Sequence, residues 1–216
     1  MSETIQHGGG LAGQANRAAR LPRTARRAQL LDAAQDIFAA NGYHAAAMDE
    51  IAERAGVSKP VLYQHFPGKL ELYLALLEIH VDELIMRVTD ALESTTDNKL
   101  RVHNAVSAYF DFVAGESQAY RLVFESDLRG EPVVQAAIDR GTDACVQAIT
   151  RTITADAGLE EEPARLLAVG LVGVSQVAAR SWLAGKSTMA KEEAVGFIST
   201  LAWKGIGGGF PLQQPS

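Results

Sequence analysis

Apolar residues recur at intervals of three and four along almost the whole of this 216-residue chain, and no stretch alternates with period two. That periodicity belongs to the α-helix, so the expected fold class is all-α. Leu30, Leu31, Ala34, Ile37 and Phe38 form the stripe of a first helix, which Asn41-Gly42 stops. Two short helices follow at 48–55 and 59–66, with Gly56 between them. Pro67 starts a long fourth helix with Leu70, Tyr73, Leu77 and Leu84 on one edge, ending near the polar break from Ser94 to Asn98. Further helices are predicted at 100–114, 118–128, 132–155, 163–183 and 191–204, with Pro132 and Pro163 each at a start. The expected domains are a flexible basic N-terminal arm (1–23), a helix-turn-helix domain (24–86), an effector-binding and dimerisation bundle (87–205) and a flexible tail (206–216).

The segment from Asp49 to Lys69 has the shape of a helix-turn-helix. Ala52 and Gly56 are small where two helices cross, and Gly56 can take the left-handed geometry that ends the first. Ser58 is placed to cap the second helix, and Pro60 falls in its first turn, where a missing N–H costs nothing. At about 100° per residue, Leu62 and Phe66 share one edge and with Ile51 and Val57 make a small core. Pro60, Val61, Tyr63 and Gln64 face the other way. Gln64 can pair with an adenine edge and Val61 can touch a thymine methyl, while Lys59, Tyr63, His65 and Lys69 can reach phosphates. The alternative is a solvated helix face.

Charge changes this picture only once it is located. The net charge is −6, yet Arg17, Arg20, Arg23, Arg26 and Arg27 form a run without an acid just before the first stripe. Such a run suits phosphate contact or a minor-groove arm, or else a solubilising tail. Most of the acidic excess lies after residue 80. Cys145 is the only cysteine, which excludes an intrachain disulfide and reads as a packing residue. The apolar stretch from Leu166 to Val174 lies between Arg165 and Arg180, too close for a spanning helix of about 20 residues. The N-terminus lacks an apolar signal region, so a cytoplasmic protein without a membrane partner is expected. His80 and His103 stand apart and are expected on helix surfaces, without metal-ligand spacing. No phosphate loop, nucleophile elbow or carboxylate set points to an enzyme.

From Ala28 to Leu77 the chain closely resembles the tetracycline-repressor (TetR) family of bacterial transcription regulators. Ile37-Phe38, Asn41-Gly42-Tyr43, Ile51-Ala52, Ala55-Gly56-Val57-Ser58, Leu62-Tyr63, His65-Phe66 and Lys69 carry the resemblance. It implies a homodimer with one N-terminal DNA-binding domain per subunit, a C-terminal domain for a small-molecule effector, and double-stranded DNA as partner. The DNA-binding residues are then Arg26, Ser58, Lys59, Pro60, Val61, Tyr63, Gln64, His65 and Lys69. Two-fold symmetry would place the recognition helices about 34 to 36 Å apart on a palindromic operator. One departure stands out: Ala46 and Ala47 replace the hydroxyl residue that begins the second helix in the family, at a cost of about 1 kcal/mol in capping and one phosphate contact.

A narrower likeness, on Lys59–Phe66, Lys69–Leu74, Thr95–Asn98, Tyr120–Glu125 and Ala168–Gly173, is to actinobacterial members that regulate fatty acid synthase genes. It implies an apolar tunnel for a long-chain acyl-CoA effector and no other cofactor. Phe110, Phe112, Phe124 and Leu171 are candidate lining residues, or plain core. Gln176 and Arg180 either bind the effector's polar group or pair across a dimer interface. Gly170, Gly173, Ala178, Trp182, Phe197 and Leu201 are the candidate dimer contacts. Other readings are a regulator of a drug-efflux or catabolic operon with a different hydrophobic ligand, and a helical adaptor that binds no DNA.

Overall fold

The computed structural model describes residues 21–115, 128, 130–186 and 188–209. The elements are α1 (Arg23–Ala45), α2 (Met48–Arg54), α3 (Lys59–His65), α4 (Lys69–Glu93), α5 (Asn98–Gly115), α6 (Pro132–Ala157), α7 (Glu161–Ser181), a π-helical turn (Trp182–Lys186) and α8 (Lys191–Gly209). There is no strand among the described residues. The helix predicted at 118–128 lies outside the described residues apart from Leu128, as do Arg17, Arg20 and Phe124.

Local chemistry explains most boundaries. Gly42, at φ 74°, interrupts α1 where the Asn-Gly signal stands, so its last residues form a separate turn. Gly158, at φ 64°, ends α6 in the left-handed conformation. Asp97 opens α5, its Oδ1 accepting from the Lys99 and Leu100 N–H groups at 2.9 and 3.1 Å. Helix α7 begins two residues earlier than Pro163 suggests, and Glu161 and Glu162 place negative charge at the positive end of its dipole.

Helix α4 is the spine. Leu72, Tyr73, Leu76, Leu77, Val81, Leu84, Val88 and Leu92 are all buried along it, at the three- and four-residue spacing of one face. Near its start the Tyr73 ring meets Phe38 of α1 edge-on at 5.4 Å. At its middle it crosses α6, where a Cβ on Gly141 would lie only 2.7 Å from Val81 Cγ1. His80 does not lie on the surface as expected: it is 4% exposed, its Nε2 3.0 Å from Gln35 Oε1 of α1 and its Nδ1 3.5 Å from Glu83. The helix turns this position toward α1, and a buried imidazole needs the polar partner that Gln35 supplies. Cys145 is buried beside Tyr109, and burial raises the pKa of both groups.

Helix α7 departs from expectation. With the π-turn it forms a segment, Glu161–Gly185, long and apolar enough to cross a membrane by length and composition, with mean hydropathy 1.5 in a window only 22% buried. The helix runs through Arg165 and Arg180 rather than stopping at them. Its inward face (Ala164, Ala168, Val172, Ser175, Ala179) is buried, while Leu166 is 73% and Val177 58% exposed.

The Gly141 contact generates a prediction. Gly141→Ala gains about 1 kcal/mol of helix propensity but forces Val81 out of place, for a net loss of about 1–2 kcal/mol. Thermal unfolding should show the loss, and Val81→Ala in the same chain should recover part of it. Equal stability of Gly141→Ala and the native chain would refute the close crossing.

Candidate nucleic-acid interface and ligand cavity

Two backbone hydrogen bonds set the angle between α2 and α3. The Val57 N–H donates to the Ala52 carbonyl at 3.0 Å and the Gly56 N–H to the Glu53 carbonyl at 2.9 Å, the paired bonds of a Schellman turn. Gly56 has φ 64° and nothing within 4 Å of where a Cβ would stand. Its conformation, not a close helix crossing, is what requires glycine here. From α1, the Gln29 amide donates to the Ala55 carbonyl at 2.7 Å and accepts from Arg26 at 2.7 Å, and Asp36 pairs with Arg54 at 2.6 Å. These polar ties between α1 and α2 had no signal in periodicity.

Helix α3 has the two faces expected of it. Leu62 and Phe66 are buried, while Ser58, Lys59, Pro60, Tyr63 and Gln64 are exposed, and Val61 and His65 are half-buried. Ser58 occupies the N-cap position but makes no side-chain capping bond. Lys59 pairs with Asp49 at 2.5 Å, with both side chains 59% exposed.

A basic corner lies beside this face. Arg23, Arg26 and Arg27 sit on the opening turns of α1 rather than on an arm, with no acid in the first turn. The Arg27 guanidinium lies 4.3 Å from the centre of the Phe66 ring. The His65 pKa is lowered, first by burial and then by Arg23, Arg27 and Arg26, so its imidazole is neutral at pH 7.

Lys69 has a different role from the one expected. Its ammonium donates to the carbonyls of Tyr43, His44 and Ala46 at 2.8, 3.2 and 2.9 Å and lies 4.5 Å from the centre of the Tyr43 ring. An ammonium has three N–H groups, and in the free protein the three carbonyls of the turn after Gly42 take them up. At the start of α2 the capping arrangement is half formed. The Ala47 N–H donates to Glu50 at 3.4 Å, and Ala47 has no side-chain oxygen to return the bond.

A cavity of about 240 Å³ lies among α4, α5, α6, α7 and α8, lined by Leu92, Val102, Ala105, Val106, Ile149, Ile153, Leu171 and Trp203, among others. Two of its hydroxyls turn away, Thr152 Oγ1 donating to the Ala148 carbonyl at 3.2 Å and Ser175 Oγ to that of Leu171 at 2.8 Å. Polar groups gather at one end, where Arg101 donates to the Leu92 and Thr95 carbonyls at 3.0 and 2.7 Å, to Asn98 at 2.9 Å and to Asp156. Of the candidate effector residues that are described, only Leu171 is on this wall. Phe110 and Phe112 are buried core, Gln176 is half-buried outside the lining, and Arg180 is exposed on α7. The residues that do line it looked in sequence like any core stripe.

The candidate dimer contacts also divide. Gly170, Gly173 and Phe197 reach the surface, with open space above both glycines. Trp182 turns inward: its indole donates to the Met189 carbonyl at 2.8 Å and its ring lies 5.8 Å from that of Phe110. Ala178 and Leu201 are half-buried.

Comparison with known proteins agrees with this geometry. Residues 30–76 match the bacterial regulatory proteins of the tetR family. Over 195 residues the chain is 53% identical to the HTH-type transcriptional activator FasR of Mycolicibacterium smegmatis, covering 90% of this chain and 89% of that protein. It superposes on a TetR-like transcriptional regulator from Rhodococcus sp. RHA1 with a TM-score of 0.69 at 25% identity, over 88% of this chain and 100% of the other. The fold also matches FadR of Bacillus subtilis in complex with stearoyl-CoA, with a TM-score of 0.71 at 21% identity over 83% and 98% of the two chains. With half its residues shared with one such regulator over nearly the full length of both, the chain belongs to the TetR family of bacterial transcriptional regulators.

Proposed function

We propose that this regulator binds a palindromic operator in the cytoplasm as a homodimer, through α3 and the opening turns of α1. A fatty acyl chain carried as an acyl-CoA enters the cavity and controls DNA binding at genes of lipid synthesis. The observation that carries the ligand reading is the cavity wall: its Thr152 and Ser175 hydroxyls bond back to their own helices, leaving an apolar interior with polar groups at one end only. A hydrocarbon tail fits such a wall, and a polar metabolite would go unpaired on it. At about 30 Å³ for each water-sized group, 240 Å³ holds about eight carbons, so a longer tail must displace side chains. The FadR structure with stearoyl-CoA supports the same class of ligand, and a Bacillus subtilis relative described as a fatty acid metabolism regulator protein supports the same class of target.

For DNA, Gln64 and Val61 face base edges, and Lys59, Tyr63, Ser58 and the α1 arginines face phosphates. Lys69 is excluded from that set. The bare stripe on α7, with Phe197 of α8, faces the second copy.

Three predictions test this reading. Lys59→Met should weaken operator binding and lower the salt slope by about one, without lowering the unfolding temperature. Lys69→Met should instead destabilise the fold by about 1–3 kcal/mol and leave the affinity of the folded protein unchanged; the reverse pattern would overturn both roles. Because a phosphate stabilises imidazolium, His65 has a higher pKa on DNA than its lowered value in the free protein. Binding then takes up a proton, and gel-shift affinity should rise severalfold from about pH 7.5 to about pH 5.5. That slope should disappear in His65→Gln; an identical slope in the variant would remove His65 from the contact. Finally, octanoyl-CoA at about 100 times its Kd should raise stability by about 2.7 kcal/mol. Ala105→Phe, which puts a ring into the cavity, should abolish the shift. No stabilisation of the native chain by acyl-CoA of any length would exclude this ligand.

A further inference from the structure

An open groove of about 500 Å³ lies between the start of α5 and the end of α8, next to the apolar cavity. Lys99 and His103 line it from α5, and Ser199, Trp203 and Lys204 from α8. Trp203 borders both spaces, so a tail in the cavity and a head in the groove meet at one side chain.

The two ammonium groups of the groove differ from the paired cations around them. Arg87, Arg101, Arg140, Arg165 and Lys191 each pair with a carboxylate. Lys99 and Lys204 have no ion-pair partner among the described residues, although Asp97 lines the same groove. The Asp97 carboxylate is turned instead to the backbone N–H groups of Lys99 and Leu100. Ser199 Oγ donates to the Gly196 carbonyl at 3.2 Å, which leaves it to accept from His103 Nδ1 at 3.2 Å and fixes that ring. The Trp203 indole is 46% exposed, a flat surface on which a planar ring can stack.

Two unpaired ammonium groups and an exposed indole suit a head that carries phosphate and an aromatic ring. We infer that the groove between α5 and α8 holds the phosphate- and purine-bearing head of the acyl-CoA, with Lys99 and Lys204 on its phosphates and Trp203 against its ring. This rests on the acyl-CoA reading of the cavity and adds a second, separable half to the site.

The test uses the full chain with Trp182→Phe, which leaves Trp203 as its only tryptophan. Octanoyl-CoA should quench Trp203 emission, and octanoate should bind without that quench. Lys99→Gln with Lys204→Gln should weaken octanoyl-CoA about tenfold, the worth of one charge-assisted hydrogen bond, and leave octanoate within about twofold. Equal loss for both ligands, or no loss for octanoyl-CoA, overturns the groove assignment. Octanoate binding as tightly as octanoyl-CoA also overturns it, while keeping the acyl cavity. Quenching by coenzyme A alone that is lost in the double variant, with no gain from an acyl tail, keeps the groove and removes the acyl reading. Failure of all three ligands to bind removes both.

Discussion

Helix α4 must satisfy two packing environments with a single face. Its 25 residues span about 37 Å at 1.5 Å per residue, and every contact along that length is fixed by the same helical phase. Tyr73 meets Phe38 near one end, Val81 fills the space left by Gly141 in the middle, and Leu92 borders the cavity at the other. Arg101 bonds the Leu92 and Thr95 carbonyls, so the far end of the helix is tied to the mouth of the cavity. At the near end Lys69 holds the turn after Gly42, and in the middle His80 joins the helix to Gln35 of α1. Packed interfaces of this kind shift between discrete arrangements rather than deform smoothly. Leu92 at the cavity and Lys69 beside the helix-turn-helix therefore belong to one rod.

The opening turns of α1 concentrate positive charge beside α3. Arg23, Arg26 and Arg27 stand at the positive end of α1 without an acid in its first turn, and after burial their field further lowers the His65 pKa. The chain's net charge of −6 conceals this corner. Lys59 and Asp49 are exposed enough that their pairing is worth about 0–1 kcal/mol, so phosphate can take Lys59 at little cost. Lys69 differs because three carbonyls and an aromatic ring would be left bare by its departure. The half-formed cap at Ala47 leaves the start of α2 without a side-chain hydroxyl.

Features that depend on one residue's own conformation could be read in the sequence. Gly42 and Gly56 both take the positive φ that an Asn-Gly stop and a helix-turn-helix demand, and the buried and exposed sides of α3 follow from helical period alone. Features that depend on a distant partner could not. Gly141 looks like any helix glycine until Val81 is placed against it, and His80 looks solvent-facing until α1 supplies Gln35. Lys69 stands beside a DNA-binding motif, and nothing local shows that three carbonyls surround it. A cavity is harder still, being a volume left between five helices. Aromatic residues such as Phe110 and Phe112 fill space well and so end up in the core, whereas the cavity wall is made largely of smaller residues such as Ala105, Val102 and Val106.

The apolar surface of α7 invites a membrane reading, and its geometry argues for a second protein helix instead. At 100° per residue, Leu166, Gly170, Gly173 and Val177 fall within a narrow arc, and Ala164, Ala168, Val172, Ser175 and Ala179 occupy the opposite one. The second set is already buried against this chain's own bundle. What stays bare is a stripe rather than a whole circumference, with two glycines along it that have open space above them. Lipid gains nothing from glycine, which offers no side-chain surface to bury. A neighbouring helix does gain, because its backbone can come close while Leu166 and Val177 flank the contact. Exposed Phe197 extends the bare surface to α8, so each copy can contribute two helices to one shared core. The high hydropathy of α7 thus has two sources, a face buried in its own bundle and a bare apolar stripe on the opposite side.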